Sequence, residues 1–349
     1  MQELRVGIVG AGAIGADHAR RITERTSGAK VVAVVDPNEE RAREVAAIAG
    51  GADVLTAVDA LIATERVDAV MICSPGRFHE AALLPALQAR LPIFCEKPLT
   101  PDSASGERVL EAEQRLDRPH IQVGFMRRFD AEYMRLRELV ASADAGELLM
   151  IHAAHRNARP TNPEYVQQNL IDDSVVHEFD VLSWVAGSPV RSVTVRQGRR
   201  NSLSLPHLHE PILVLMELDN GVLVDVEMNV SAQFGYQVTT EAVFEKGVAR
   251  IGQPSGLELW QEGAFRKAEH TYYDTRFAQA FDTEVQRWVN AVRDGRLVDG
   301  PNAWDGFQVA LACEAGVEAL RTGRTVDVRP ATIPEFYAPR VSPASSTLS

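Results

Sequence analysis

Short apolar runs alternate with amphipathic segments through the first third of the chain. Leu4–Val9 and Val31–Val35 are rich in valine and predict buried strands, and Ala16–Ile22 between them predicts a helix. The alternation continues with strands expected near Val54 and over Asp68–Cys73, Pro92–Cys95 and His120–Phe125, and helices over Glu39–Ala49, Val58–Ala63, Phe78–Arg90 and Pro101–Leu116. Near-continuous apolar strands separated by helices indicate a parallel sheet covered on both faces.

The pattern changes after Phe125, where several strands follow one another. A helix over Asp130–Ser142 leads into a strand over Glu147–His155. Further β-rich runs are Val190–Val195, Ile212–Leu218, Gly221–Val230, Tyr236–Phe244, Gly247–Ile251 and Leu257–Trp260, followed by helices over Phe277–Val292 and Ala303–Arg321. Asn220-Gly221 lies between two of these runs and indicates a hairpin. The second part of the chain is therefore expected to form an α+β domain with a largely antiparallel, open sheet.

A glycine-rich loop joins the first strand to the first helix. Its sequence, Gly10-Ala-Gly-Ala-Ile-Gly15, has the spacing G-x-G-x-x-G. Gly10 suits a tight turn, Gly12 permits close approach of the backbone to a pyrophosphate, and Gly15 permits close packing of helix on strand. The helix that follows directs free N–H groups at the phosphates. A strand before the loop and a helix after it predict a doubly wound, Rossmann-type domain that binds a dinucleotide.

An acidic residue ends the second apolar strand. Asp36 lies about twenty residues beyond the last glycine, where a ribose-binding acid is expected. A carboxylate there accepts hydrogen bonds from the adenosine ribose and repels a 2′-phosphate, so it favours NAD over NADP. The alternative is an Asp-Pro turn that only ends a buried strand.

Further polar residues follow the later strands of the predicted parallel sheet. Ser74-Pro75 follows one strand and Glu96-Lys97-Pro98 follows the next. Ligands of such sheets bind outside the carboxyl ends of the strands, so these residues are expected beside the glycine loop. The proline restricts the backbone of Lys97, and a lysine held there can bind a substrate oxygen and share its proton. The alternative is an ordinary surface lysine in a turn.

A carboxylate and a histidine are spaced by four residues in the second part of the chain. The sequence is Asp172-Asp173-Ser174-Val-Val-His177, and the helical pattern from Ser174 places Asp173 near a helix N-terminus. Asp173 and His177 then share one side of the first turns. A histidine beside a carboxylate suits a general base. The alternative is a capping Asp or Ser with a buried histidine whose hydrogen bonds are satisfied.

Two other segments contain closely spaced histidines that could suggest a metal site. If His152–Asn157 is a strand, His155 and Asn157 share one face and His152 points to the other, which favours a polar patch over a metal pair. His207-Leu-His-Glu210 lacks a second cluster at ligand spacing and is interpreted as a polar loop.

Length, charge and cysteine content narrow the class of protein. The 349 residues leave room for two domains, expected over 1–123 and 124–335, with a flexible tail at 336–349. The net charge of −12 argues against a surface for nucleic acids or anionic membranes. The cysteines are too scattered for a disulfide framework, and Cys73 and Cys95 are expected to be inert residues of buried strands. No leader or membrane span is recognised, so the cytoplasm is the expected location.

These motifs resemble those of the Gfo/Idh/MocA family of NAD(P)-dependent oxidoreductases, over nearly the whole chain apart from the tail. The matching stretches are Gly10–Gly15 with His18, Glu96-Lys97-Pro98, Gln122–Asp130, His155-Arg-Asn157, Asp173–His177 and Gly235-Tyr236. The Glu-Lys-Pro stretch names only the family, whereas the Gly-Phe-Met-Arg-Arg run with His-Arg-Asn resembles members that oxidise inositol. The resemblance implies NAD-dependent oxidation of myo-inositol to 2-keto-myo-inositol, with no metal.

The resemblance also implies roles for particular residues. Lys97, Asp173 and His177 would be catalytic: His177 would take the hydroxyl proton, Lys97 would donate to the same oxygen, and Asp173 would orient His177 or a neighbouring hydroxyl. The residues implied to line the polyol site are Arg127, His155, Asn157 and Tyr236. The residues implied to bind NAD are Gly10, Gly12, Ala13, Ile14, Gly15, Asp36, Ser74 and Glu96. The second domain would bind the substrate and form a homotetramer through the open face of its sheet.

Two residues depart from the family pattern, and two other functions remain open. Ala13 replaces a residue that is basic in many inositol-oxidising members, which bears on the grip on the cofactor. Gln237 stands where an aspartate is expected, which bears on recognition of hydroxyls. One alternative is oxidation of another polyol or sugar, such as scyllo-inositol, D-chiro-inositol or an aldose. The other is a non-catalytic, NAD-sensing binding protein on the same fold.

Overall fold

A parallel sheet forms from the first third of the chain in the computed structural model, which describes residues 3–64, 66–160, 164–254, 256–296 and 300–338. Within these residues its strands are β1 (Leu4–Val9), β2 (Ala29–Val35), β3 (Asp53–Leu55), β4 (Ala69–Ile72), β5 (Ile93–Glu96) and β6 (Ile121–Gly124). They lie in the order β3-β2-β1-β4-β5-β6. The chain thus runs outward from β1 on one side and from β4 on the other, and this switch opens a crevice at their carboxyl ends.

Helices cover both faces of this sheet, as its doubly buried strands require. Along β4, Ala69 and Met71 enter one hydrophobic core, whereas Val70 and Ile72 enter the other. The helices between the strands are α1 (Ala13–Arg25), α2 (Glu39–Ile48), α3 (Val58–Ala63), α4 (His79–Gln88) and α5 (Ser103–Glu113). The expected Rossmann-type alternation of strands and helices is confirmed.

The second part of the chain forms a larger, mostly antiparallel sheet. Its strands, among the described residues, are β7 (Leu148–Arg156), β8 (Val190–Gln197), β9 (Ile212–Leu218), β10 (Leu223–Asn229), β11 (Gln237–Phe244), β12 (Gly247–Ile251) and β15 (Val326–Asp327), in the order β12-β11-β7-β10-β9-β8-β15. β7 and β10 run parallel, so the sheet is mixed. The hairpin expected at Asn220-Gly221 joins β9 to β10, with Gly221 at a φ of +84°. A separate hairpin of β13 (Glu258–Gln261) and β14 (Ala264–Lys267) includes one strand that the sequence pattern did not indicate.

The remaining helices pack on the second sheet or bridge the two sheets. They are α6 (Ala131–Ser142), α7 (Val176–Ala186), α8 (Tyr273–Arg276), α9 (Ala278–Arg293) and α10 (Ala303–Thr322). Val285, Trp288 and Val289 of α9 belong to the hydrophobic core of the first sheet, so a helix late in the chain covers an early sheet. None of the described helices has the length and apolarity needed to cross a membrane.

The start of the predicted tail is corrected by the structure. Tyr337 is buried, and its hydroxyl donates to the Glu113 carboxylate over 2.7 Å. The chain is therefore anchored at least to this residue. Of the predicted tail, 339–349 lies outside the described residues.

Candidate active site

The loop between β1 and α1 has room for a dinucleotide where the sequence pattern expects one. Gly10 has a φ of +103°, and a Cβ added there would lie 2.5 Å from the Ser74 nitrogen. A Cβ on Gly15 would overlap the Gly10 carbonyl oxygen, whereas a Cβ on Gly12 would meet nothing within 4 Å. Gly10 and Gly15 are therefore required by packing within the protein. Gly12 faces open space, which suits close approach of a pyrophosphate.

The hydrogen-bonding groups of this loop also fit NAD. Helix α1 begins at Ala13 after an N-cap at Gly12, and no side chain caps its first turn. Its N–H groups are therefore available to phosphate oxygens. Asp36, at the end of β2, accepts from the Ala11 nitrogen and from the Asn38 nitrogen, each over 2.8 Å. These bonds hold the carboxylate beside the loop, at the position of a ribose-binding acid.

A cavity of about 600 Å³ continues from this crevice into the second domain. Ile14, Ser74, Glu96 and Lys97 line its wall on the side of the parallel sheet. The opposite wall includes His155, Asn157, Asp172, Asp173, His177 and Tyr236. The Ser74 hydroxyl, the side-chain Oδ1 of Asn157 and the Nδ1 of His177 are buried without a hydrogen-bond partner among the described residues. A polar ligand in the cavity can satisfy such atoms.

Lys97 follows β5 and reaches across the cavity to the second domain. Its Nζ donates to the Asp173 carboxylate over 2.8 Å and to the Asp173 carbonyl oxygen over 2.9 Å. Two oxygens of one residue therefore direct the ammonium group, which is only partly exposed. The alternative of an ordinary surface lysine does not fit this geometry. The structure shows a contact between the Asp173 carboxylate and Lys97. The role expected from the family resemblance was to orient His177 or a neighbouring hydroxyl.

The sequence pattern predicted a helix from Ser174 onward, with Asp173 near its N-terminus. The structure differs at this point. A π-helical turn covers Leu170–Val175, and α7 continues from it. Wide turns of this kind are rare and are frequent at functional sites. The predicted inward residues of this segment are indeed buried: Val175, Phe179 and Leu182. Packing anchors one side of the segment while Asp173 and His177 line the cavity on the other.

His177 is held in its neutral form. Burial, followed by the positive charges of Lys97 and Arg127, lowers the pKa of His177 well below its ordinary value. Its Nδ1 has no hydrogen-bond partner among the described residues, so the alternative of a satisfied core histidine does not fit. An unprotonated imidazole beside an ammonium group can accept a proton from a hydroxyl placed between them.

His155, Asn157 and Tyr236 form a polar wall at the ends of β7 and β11. His155 lies in β7 and Asn157 directly follows this strand, and both line the cavity. Tyr236 stacks edge-on against His155 with ring centroids 5.9 Å apart, and burial raises the pKa of Tyr236 to about 12. The neutral phenol is therefore a hydrogen-bond donor at neutral pH.

Arg127 does not line the cavity, contrary to the expectation for the polyol site. It is fully buried, forms an ion pair with Glu178, and lies 3.3 Å from Nδ1 of His155 through its Nη2. Although burial acts to raise it, the Arg127 charge, with that of His155, lowers the pKa of Glu178 to about 2. The guanidinium thus needs a buried carboxylate for compensation, and this pairing turns it away from the cavity. Arg127 supports His155 from behind.

Several site residues lacked a recognisable sequence signal. Asp172 lines the cavity and accepts hydrogen bonds from Gln168 (2.7 Å) and Asn169 (3.0 Å). Tyr272 and Tyr273 line it as well. Tyr272 and Tyr273 lie at the start of the short helix α8, which the sequence pattern did not indicate. Only the proximity of Asp172 to the Asp173–His177 pair offered a hint.

The other histidines and the cysteines have structural environments. His152 lies on the opposite face from His155 and pairs with Asp225. His207 and His209 bond the carbonyl oxygens of Tyr165 and Gly198 over 2.8 Å each. Burial raises the pKa of Cys73 and Cys95 well above the ordinary value, as expected for inert thiols. Within the described residues no group of three or more potential ligands is arranged to hold a metal ion.

Comparison with known proteins gives matches along nearly the whole chain. A family model described as the oxidoreductase family, NAD-binding Rossmann fold, matches residues 4–125, and a model of the GFO/IDH/MocA C-terminal domain matches residues 133–250. The chain is 60% identical to inositol 2-dehydrogenase of Corynebacterium glutamicum, over 97% of this chain and 99% of that protein. It is 61% identical to inositol 2-dehydrogenase of Leifsonia xyli subsp. xyli, over 96% and 98%.

Solved structures show the same architecture. Myo-inositol dehydrogenase from Lactobacillus casei, in complex with NAD(H) and myo-inositol, superposes with a TM-score of 0.94 at 31% identity, covering 97% of this chain and 100% of that one. Scyllo-inositol dehydrogenase from the same organism, with NAD(H) and scyllo-inositol, gives a TM-score of 0.83 at 28% identity, covering 94% and 99%.

Proposed function

Because the chain belongs to the Gfo/Idh/MocA family of NAD-dependent oxidoreductases, we propose that it oxidises a ring hydroxyl of myo-inositol to a ketone, with Lys97, Asp173 and His177 as its catalytic residues. One observation carries the assignment of these residues. An ammonium group from the first domain and a neutral imidazole from the second open onto one cavity, which continues to the dinucleotide loop.

The two groups have complementary roles at the reacting hydroxyl. NAD bound at the β1–α1 loop would supply the acceptor for the hydride of the carbinol carbon. Nothing else in the reaction requires a cofactor. His177 accepts the hydroxyl proton, because its imidazole is unprotonated at neutral pH. Lys97 donates a hydrogen bond to the same oxygen as negative charge develops on it. Asp173 holds the ammonium group in place through its carboxylate and carbonyl oxygens.

The polar wall supplies recognition of the remaining hydroxyls. The side-chain Oδ1 of Asn157 is buried and has no hydrogen-bond partner among the described residues, so it is available to a hydroxyl donor. His155 and Tyr236 extend this wall, and Asp172 adds an acceptor on the other side. A ring that carries a hydroxyl on each carbon suits such a surface, since its hydroxyls can donate to and accept from the buried polar atoms of the wall.

The test is NADH formation from NAD with myo-inositol, scyllo-inositol, D-chiro-inositol and an aldose. We expect turnover with myo-inositol, and His177→Ala should lower kcat by about 10²–10⁴-fold because the proton acceptor is lost. His209→Ala is the matched control, since that ring bonds the Gly198 carbonyl oxygen and His209 is not among the residues that line the cavity. Near-normal turnover in His177→Ala would remove His177 from its assigned role. A clear preference for another substrate would contradict the assignment of myo-inositol but not the proposed hydride and proton transfer.

We also propose that the protein is a homotetramer assembled through the open face of the second sheet and located in the cytoplasm. Leu213, Leu215 and Leu223 are exposed on this face, where an interface would bury them. The cysteines Cys73, Cys95 and Cys313 are free, which suits a reducing compartment. Sedimentation velocity should give a tetramer, and Leu215→Glu should give smaller species, while Leu203→Glu, at an exposed residue outside the strands of the sheet, should not. A monomeric wild-type protein would contradict this assembly.

A further inference from the structure

A buried chain of polar side chains connects the lysine loop with helix α1. The Glu96 Oε2 accepts from the backbone nitrogen of Lys97 over 3.2 Å, and the Glu96 Oε1 lies 2.7 Å from Nε2 of His18. His18 is fully buried in the second turn of α1, and Glu96 is nearly so. One carboxylate therefore joins the peptide that carries the catalytic lysine to the helix that begins at the dinucleotide loop.

The neighbours of His18 determine the direction of this hydrogen bond. The Arg21 Nη1 lies 3.2 Å from Nδ1 of His18, and a guanidinium group can only donate. Nδ1 therefore accepts, and Nε2–H donates to Glu96. Arg21 is itself held by Asp282 of α9, to which its Nε donates over 2.8 Å.

Packing leaves the histidine and the carboxylate little freedom to move. The His18 ring lies edge-on to Phe94 and Phe281, with centroids 5.4 and 6.1 Å away. A Cβ on Gly124 would lie 3.1 Å from the Glu96 carboxylate, so glycine there leaves the space that the carboxylate occupies. The imidazole is thus fixed in the orientation that points Nε2 at Glu96.

We propose that His18 is a positioning residue, which acts through Glu96 to hold the Lys97 peptide at a set distance from the dinucleotide loop; this rests on the proposed function. The N-terminus of α1 faces the dinucleotide and its second turn carries His18, so one rigid helix relates the cofactor to the lysine. Loss of the Nε2 donor frees the Glu96 carboxylate and lets the loop shift. A displacement of the order of 1 Å at a catalytic group costs about 10²-fold in rate.

The test compares two amides at this position. The Gln amide nitrogen reaches the place of the imidazole Nε2, whereas the Asn amide nitrogen reaches only that of Nδ1. His18→Asn should lower kcat by about 10- to 100-fold, with KM for myo-inositol and the Kd for NAD from calorimetry each within about 3-fold. His18→Gln should recover most of the loss. Arg20→Gln, an exposed neighbour on the same helix that pairs with Asp17, is the matched control.

The outcomes separate this inference from the proposed function. Equal kcat in His18→Asn and His18→Gln would overturn it, as would a Kd for NAD that weakens in step with kcat. If His18→Asn does not fold, Arg21→Gln serves instead, because it removes the donor that orients the ring; an unchanged kcat would then overturn the inference. A wild-type protein that binds NAD but oxidises no inositol would contradict the proposed function itself.

Discussion

At His177, burial and neighbouring positive charge act on the imidazole in the same direction. Both disfavour the protonated ring, so the pKa is lowered well below its ordinary value. Among the charged groups, Lys97 lowers the pKa of His177 most. The same ammonium group donates to the substrate oxygen in the proposed reaction. One lysine therefore serves the chemistry twice: it keeps the base unprotonated, and it stabilises the charge that removal of the proton creates.

This leads to a prediction for the pH dependence of the reaction. The acidic limb of kcat/KM reports the pKa of the essential base in the free enzyme. Because the folded-state pKa of His177 is lowered, the active unprotonated form persists as the pH falls past the ordinary histidine value of about 6.5. We therefore expect kcat/KM for myo-inositol to be maintained at pH 6 and to fall only at lower pH. A half-maximal point near 6.5 or above, with the protein still folded by circular dichroism, would contradict this assignment.

At the scale of the element, the glycines of the β1–α1 loop have two different functions. Gly10 and Gly15 are required by packing within the protein, whereas Gly12 leaves space for the ligand. Gly15 packs against the Gly10 carbonyl oxygen, so a side chain there forces the helix away from the loop. Gly12 has open space around its missing Cβ. The sequence motif predicts these different roles, and the structure shows the close packing and the open space on which they depend.

Two alanine substitutions test this distinction. Gly15→Ala should lower Tm by several degrees, because overpacking typically costs about 1–3 kcal/mol. Gly12→Ala should leave Tm of the unliganded protein nearly unchanged but weaken NAD binding by about 10-fold or more, since the methyl group occupies the path of the pyrophosphate. Thermal unfolding and calorimetric titration with NAD measure the two effects. Equal Tm values for both variants would show that the packing argument is wrong.

At the scale of the whole molecule, buried polar residues tie distant parts of the chain to the first domain. Glu113 of α5 accepts from the backbone nitrogens of His120 and Ile121, and from the Tyr337 hydroxyl. Burial outweighs these bonds and raises the pKa of Glu113 to about 7. The C-terminal segment is therefore held by a carboxyl group that titrates near neutrality.

The linkage of this group to stability has a definite sign. A carboxyl group with a raised folded-state pKa stabilises the fold fully below its unfolded value, and this contribution is lost as the pH rises through about 7. From pH 6 to pH 8 the loss is about 1 kcal/mol.

The substitution Glu113→Gln tests whether titration of Glu113 causes this loss of stability, because glutamine resembles the protonated acid. The decrease in the free energy of unfolding between pH 6 and pH 8 should be smaller in this variant than in wild type. Glu111→Gln, an exposed neighbour on the same helix, should behave like wild type. An identical pH dependence in wild type and Glu113→Gln would exclude titration of Glu113 in this range.

Local patterns in the sequence determined the strands and helices, the dinucleotide loop, and the polar residues that end strands. These features depend on spacing along the chain, so Lys97 at a strand end and Asp173 four residues before His177 were recognisable without a fold. The alternation of side chains along a strand predicted that His155 and Asn157 share one face, and both line the cavity, although β7 ends at Arg156. Family resemblance supplied the likeness to inositol-oxidising enzymes, which no periodicity contains.

Only the tertiary structure decided which of these residues meet. Lys97 and Asp173 are 76 positions apart and Arg127 and Glu178 are 51 apart, and no local spacing reports such pairs. Arg127 pairs with Glu178 outside the cavity lining, and a π-helical turn at Leu170–Val175 replaces the regular helix start that the local pattern predicted. Short-range order follows from neighbouring residues, whereas charge pairing and burial depend on which distant segments the fold brings into contact.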